Sequence, residues 1–185
     1  MYRLRTVIHY IMREIRNPWI GTDGYFCFGC CPDNEAGVKL TAYADGDDVV
    51  AVWAPQPRYQ GWIDTLHGGI HSVLLDEICG WAVFYKMQTS GVTTRMETRY
   101  RHAVSTNDDY IVLRASVTEV RRNLVAIRAT LSDARGRVCS EAVCTYFTFP
   151  PEKAQEMGFV GCEAVGEDIT LEACIARHAR RNNKE

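Results

Sequence analysis

A chain of 185 residues is long enough to bury a substantial core and short enough to do so as one domain. Its 21 basic and 23 acidic residues leave a formal charge of −2, so no global field draws it to nucleic acid or an anionic membrane, although a local basic cluster can still hold phosphate. No apolar run approaches the roughly 20 residues of a membrane span, and the basic start at residues 1–5 is followed by too short an apolar stretch for a signal peptide.

In chain order, Leu4, Val7, Ile8, Ile11, Met12 and Ile15 have helical spacing, which predicts an amphipathic N-terminal helix over 2–15, ending before Asn17-Pro18. Residues 19–34 mix Gly, Asp and aromatics and read as an irregular loop pinned by Trp19, Tyr25, Phe26 and Phe28. Two strands, 38–44 and 49–54, flank Asp45-Gly46-Asp47-Asp48, a hairpin signal. Pro55, Pro57 and Gly61 then interrupt regular structure. Residues 68–88 make the longest helix, apolar on more than one face and so surrounded by protein. After Gly91 come strands at 92–100, 110–120, 124–131 and 138–149, the last three joined by turns short enough for an antiparallel meander. Residues 152–166 look irregular, and 171–181 form a terminal basic helix with an acidic start. One buried helix and a sheet without crossover helices predict an α+β domain in which a curved antiparallel sheet wraps a long central helix, with extra N- and C-terminal helices.

A secreted disulfide scaffold is usually shorter and loop-rich, whereas of the eight cysteines here Cys79, Cys139 and Cys144 sit in apolar patterns and pack as small hydrophobes, and the expectation is a cytoplasmic protein with reduced thiols. Cys27, Cys30 and Cys31 lack a second Cys-x-x-Cys or His-x-x-x-His pair, so they read as a structural turn and no metal site is expected.

The chemistry concentrates in Leu66-His67-Gly68-Gly69-Ile70-His71-Ser72-Val73-Leu74-Leu75-Asp76-Glu77. Two glycines at a helix start expose N–H groups at the positive end of the dipole, where an oxyanion can dock. Asp76 can act as nucleophile or as general base toward water. Eight residues of helix separate Gly68 from Asp76, roughly 12 Å, beyond the reach of one side chain. If the two parts cooperate, the acid comes from a second copy, and a homodimer follows from the mechanism. Glu77 points about 100° away and reads as structural. No nucleophile elbow surrounds Ser72, which excludes a serine triad. The loop arginines Arg121 and Arg122 are the candidates for holding a ligand's phosphates.

This segment resembles the signature of hotdog-fold acyl-CoA thioesterases of the phenylacetyl-CoA thioesterase type, with His-Gly-Gly opening the central helix and an acid nine residues after the His, here Asp76. Cys27-Phe28-Gly29-Cys30-Cys31-Pro32-Asp33-Asn34-Glu35-Ala36-Gly37-Val38-Lys39-Leu40 is similar to the Cys-x-x-Cys-Gly-x-x-Asn-x-x-Gly-Leu segment of one branch, departing at Cys31 for Gly and Glu35 for Pro. The similarity spans about residues 25–150, leaving 1–24 and 151–185 as extensions of a single domain. The resemblance implies hydrolysis of an acyl-CoA thioester without a cofactor, by a dimer or dimer of dimers. It further implies a loop-shaping or carbonyl-orienting His67, a Thr93 that holds the acid or water with Thr94 beside it, and a substrate amide at Gln60. A hydratase or dehydratase on acyl-CoA or acyl-carrier protein, and a non-catalytic acyl-CoA binder, remain the rival readings.

Overall fold

The computed structural model describes residues 11–182. The elements are β1 (Met12–Ile15), β2 (Tyr43–Asp45), β3 (Asp48–Trp53), a 3₁₀ turn (Pro57–Tyr59), α1 (Gly68–Met87), β4 (Gly91–Tyr100), β5 (Ile111–Arg121), β6 (Leu124–Asp133), β7 (Val138–Thr148), α2 (Pro151–Glu156), β8 (Ala164–Ile169) and α3 (Leu171–Asn182). The eight strands form one sheet in the order β4-β7-β6-β5-β3-β2-β1-β8, and every pairing is antiparallel. One face of the sheet wraps α1, which touches β3, β4, β5, β6 and β7.

Helix α1 starts where the His67 side chain caps the Gly69 N–H and stops where Gln88 turns left-handed, at φ 51°. Leu74, Leu75, Ile78, Cys79, Trp81, Ala82 and Val83 are buried along it, against Leu113, Ala115, Ile127, Ala129 and Cys144 of the meander. Burying each large aliphatic side chain here contributes about 1.5–3 kcal/mol. Strand β3 is apolar on both sides because both are covered. Val49, Ala51 and Trp53 face α1, whereas Val50 and Val52 join Met12, Tyr43 and Cys174 in a second cluster beside α3. The β2–β3 turn has two residues, with Gly46 at φ 57° in its first position, as the Asp-Gly signal predicted.

Three expectations are corrected. Met12–Ile15 is a strand and not the end of a helix; the rest of the predicted N-terminal helix, through residue 10, lies outside the described residues. The spacing misleads because both faces of β1 are covered: residues three apart in a strand point to opposite faces, so Met12 enters the cluster beside α3 and Ile15 the main core. An apolar pair three apart then mimics a helical face. Residues 152–166 are not wholly irregular, for they include α2 and the start of β8, a polar strand ordered by pairing with β1. Strand β2 is also shorter than expected. The N–H groups of Val38 and Leu40 donate to the Phe28 and Gly29 carbonyls, committing this extended segment to the cysteine loop.

Candidate active site

Asp76 sits on the side of α1 that faces β4 and β7. Thr93 and Tyr146 are register partners on those strands, so their side chains leave the sheet on the same face. Both reach the same carboxylate oxygen. Thr93 Oγ1 donates to Asp76 Oδ1 at 2.7 Å, and the Tyr146 hydroxyl donates to it at 2.9 Å and contacts the Asp76 carbonyl oxygen at 2.8 Å. Burial, and then the charge of Asp76, push the Tyr146 phenol well above its ordinary range, so it stays a proton donor. Oδ2 has no donor among the described residues. The acid opens on a cleft of about 310 Å³ walled by Trp19, Tyr25, Phe84, Gly80 and the two thiols of Cys27 and Cys30.

The glycine end of α1 is built differently. The His67 N–H donates to the Tyr59 carbonyl at 2.9 Å, and its Nδ1 accepts the Gly69 N–H at 2.9 Å. Of the two N–H groups expected to face substrate, Gly69 is therefore engaged by the exposed His67 ring, and Gly68 has no acceptor among the described residues. Tyr100, at the far end of β4, donates to the Gly68 carbonyl at 3.0 Å and lies 2.6 Å from Ser72 Oγ, steadying the first turn. Beneath it the buried His71 ring meets Ser140 Oγ at 2.7 Å, and desolvation lowers its pKa to about 4. Within one chain the acid and the glycines are thus brought to opposite ends of the interface between α1 and β4, and not to one point.

The remaining candidates are placed as follows. Gln60 is exposed in the loop before His67, where its Oε1 accepts the Asp64 N–H at 3.3 Å. Thr94 occupies the register shift of β4 and donates to the Thr145 carbonyl at 2.9 Å, away from Asp76. Arg121 ends β5 and Arg122 opens the exposed turn to β6, and Arg121 Nε meets Glu119 at 2.6 Å. Asn123 in that turn accepts the Thr148 N–H, tying it to the sheet end that carries Thr93 and Tyr146.

A second polar cluster borders the same cleft. Glu77 turns inward with Trp81 Nε1 donating to Oε1 at 3.0 Å, and Oε2 lies 3.9 Å from Cys27 Sγ. Burial and the neighbouring Cys27 push its pKa up to about 7. Cys27 is lowered to about 6 by the Cys30 thiol and by the backbone N–H groups of Cys30 and Gly29. Cys30 is pushed far up by its bond to Cys27 and by burial, and its Sγ lies 3.0 Å from the Tyr25 hydroxyl. All eight cysteines are free of disulfides.

Residues 64–140 match the thioesterase superfamily. The fold is the hotdog fold seen in solved structures of that superfamily. A crystal structure of a thioesterase superfamily protein superposes with a TM-score of 0.61 at 21% identity, over 65% of this chain and 59% of that one, less than two thirds of its length. A hypothetical thioesterase from Streptococcus pneumoniae, crystallised with coenzyme A, gives 0.53 at 21% identity over 56% of this chain and 79% of that one. Zebra fish thioesterase superfamily member 2 gives 0.58 at 21% identity over 66% and 91%. No curated protein matches the sequence.

Two features of the hotdog domain escape a reading of the sequence. Tyr146 was not anticipated: it shares the inward face of β7 with Cys144 and Ala142, but only the register opposite Thr93 aims its hydroxyl at Asp76. Glu77 lies beside the acid in sequence, yet its approach to Cys27 is a tertiary contact across 50 positions. Strand β4 ends the sheet, paired with β7 on one edge and with no strand on the other among the described residues. No helix among them is long and apolar enough to cross a membrane.

Proposed function

We propose that the protein hydrolyses an acyl-CoA thioester, in the manner of the phenylacetyl-CoA thioesterase type, as a homodimer or a dimer of dimers. The observation that carries this reading is Asp76. Two donors fix one of its oxygens at the edge of an aromatic-walled cleft, leaving the other without a donor among the described residues. A ten-residue end strand whose outer edge pairs with no strand among the described residues is a template for pairing with a second copy, which would extend the sheet and bring two α1 helices side by side.

The thioester carbonyl oxygen then accepts the Gly68 N–H at the positive end of α1, joined by the Gly69 N–H when the His67 ring turns away. Each such preorganised donor contributes about 3–4 kcal/mol toward the developing oxyanion. Asp76 of the partner subunit takes a proton from water as the water oxygen attacks the carbonyl carbon. The tetrahedral adduct collapses, the C–S bond breaks, and the thiolate of coenzyme A leaves with the electron pair and is protonated. In the alternative course the carboxylate attacks directly and water hydrolyses the resulting mixed anhydride. Thr93 and Tyr146 hold the carboxylate in either case. Arg121 and Arg122 reach for phosphates from the rim, and Gln60 lies in the loop that delivers His67.

Trp19, Tyr25 and Phe84 suit a flat, apolar acyl group, and a cleft of about 310 Å³ suits a short one. A related fold from Streptococcus mutans crystallised with acetyl-CoA is consistent with a ligand of this class. Thiol release measured over a panel of aromatic, short and long acyl-CoAs is the test. Turnover of aromatic or short acyl groups is expected. Tight binding without hydrolysis across the panel would mark a binder instead.

A further inference from the structure

The Cys27-Phe28-Gly29-Cys30 turn and Glu77 bring two thiols and a carboxylate together, with one donor atom from each within 4.8 Å of the others. We propose that Cys27 Sγ, Cys30 Sγ and the Glu77 carboxylate bind a divalent zinc ion, whose fourth position opens on the acyl cleft. Zinc accepts sulfur and oxygen donors together and takes four ligands in a tetrahedron. Bonds of about 2.3 Å to sulfur and 2.0–2.2 Å to oxygen place those donors roughly 3.5–4 Å apart. Side-chain rotation closing the present separations by about 1 Å is enough.

The surroundings are those of a built site. The Gly29 N–H donates to Cys27 Sγ at 3.3 Å and the Cys30 N–H points to the same sulfur, an arrangement that stabilises a thiolate in a Cys-x-x-Cys turn. Asn17 Nδ2 donates to the Tyr25 hydroxyl at 2.8 Å, and that hydroxyl lies 3.0 Å from Cys30 Sγ, so the second thiol is oriented by a chain of outer partners. Trp81 holds Oε1 of Glu77, leaving Oε2 for the metal. Glycine at position 29 has a direct reason as well: a Cβ there would fall 1.9 Å from Glu77 Oε2, so any other residue would push the carboxylate out. Spacing alone showed no second ligand pair because the third ligand comes from α1, next to Asp76. The ion would fasten the loop that carries Trp19 and Tyr25 to the helix that carries the acid.

The proposal stands apart from the proposed hydrolysis, and its test reads metal and not turnover. Full-length protein is purified with reductant, stripped with a chelator, incubated with zinc or cobalt(II), and desalted. Expected are roughly one zinc per chain by elemental analysis and, for cobalt, tetrahedral ligand-field bands with thiolate charge-transfer absorption. Cys27→Ser and Cys30→Ser should each lower metal affinity at least tenfold, Glu77→Gln should weaken it with the thiolate absorption retained, and Cys31→Ser should leave it unchanged. Circular dichroism checks folding, and Glu77→Gln serves as the decisive variant if a serine variant unfolds. Reduced protein that takes up no zinc, whether or not Cys27 and Cys30 later join in a disulfide, would overturn the proposal. Full zinc occupancy in folded Cys27→Ser, or a cobalt spectrum without thiolate absorption, would do the same.

Discussion

The two ends of the α1–β4 interface are held in opposite ways. At the acid end, Asp76 Oδ1 takes hydrogen bonds from two side chains on two strands, and the geometry is over-determined. At the glycine end, a lone Gly68 N–H is left without an acceptor among the described residues while its neighbour is occupied by an exposed imidazole that can swing away. A base must be aimed before substrate arrives, whereas an oxyanion donor must stay unsatisfied until it does. The difference therefore fits the two roles, and it can be attacked at each end separately.

The largest effect is expected at the acid. Asp76→Asn keeps both donors a partner but cannot accept a proton or attack, so kcat should fall by about three orders of magnitude with the oligomer intact by light scattering. Unchanged turnover would remove Asp76 from the chemistry. At the other end, Gly68→Pro deletes only the N–H. Proline is favoured in the first helical turn, and the extended backbone of His67 suits the residue before it. A loss of roughly two to three orders of magnitude in kcat is expected, against a small loss for Gly68→Ala, whose Cβ would meet the Tyr100 ring at an ordinary 3.5 Å. Mixing the two dead variants and letting subunits exchange ties the ends together. A mixed dimer has one site with an intact Gly68 and a partner's intact Asp76, so about half the activity per mixed dimer should return. No recovery would mean that each chain works alone, or that the ends do not cooperate.

How far this was legible from the residues depends on where the contacts are made. The helix from Gly68 and strands β4 to β7 were readable because each is a long apolar or β-prone run closed off by turn residues, and Asp76 was singled out because it lies nine positions after His67. Met12–Ile15 was misread because both faces of that strand are covered, so an apolar pair three apart looks like one helical face, and β8 was missed because its exposed Gly166, Glu167 and Asp168 carry no apolar signal. Tyr146 and the engagement of Gly69 by His67 are facts of register and rotamer. Neither leaves a mark in composition or spacing.

Acid should distinguish the glycine end by stability. His71 is buried between Ser140 and the Tyr100 ring, and its pKa falls from 6.5 to about 4 because burial disfavours the charged form. The unfolded chain therefore binds a proton that the folded chain refuses between those values. Stability is full above pH 6.5 and declines as pH falls toward 4, by about 3 kcal/mol. Urea midpoints measured across this range should slope downward toward acid in the wild type and flatten in His71→Asn, which can still bond Ser140. An equal slope in both would assign the acid sensitivity elsewhere.

The smallest effect belongs to the over-determined end. Tyr146→Phe removes one of two donors to Oδ1 and the donor to the Asp76 carbonyl, yet Thr93 still holds the carboxylate, so kcat should drop about tenfold, near 1.4 kcal/mol, with KM little changed. Thr93→Val should behave alike. The informative quantity is the double variant. If the two hydroxyls are alternative anchors for one oxygen, losing both should cost more than the sum of the single losses, with a coupling of about 0.5–3 kcal/mol. Strict additivity in kcat would mean that each hydroxyl does something separate, such as holding the attacking water, and the contrast between a redundantly anchored acid and a singly exposed amide would have to be redrawn.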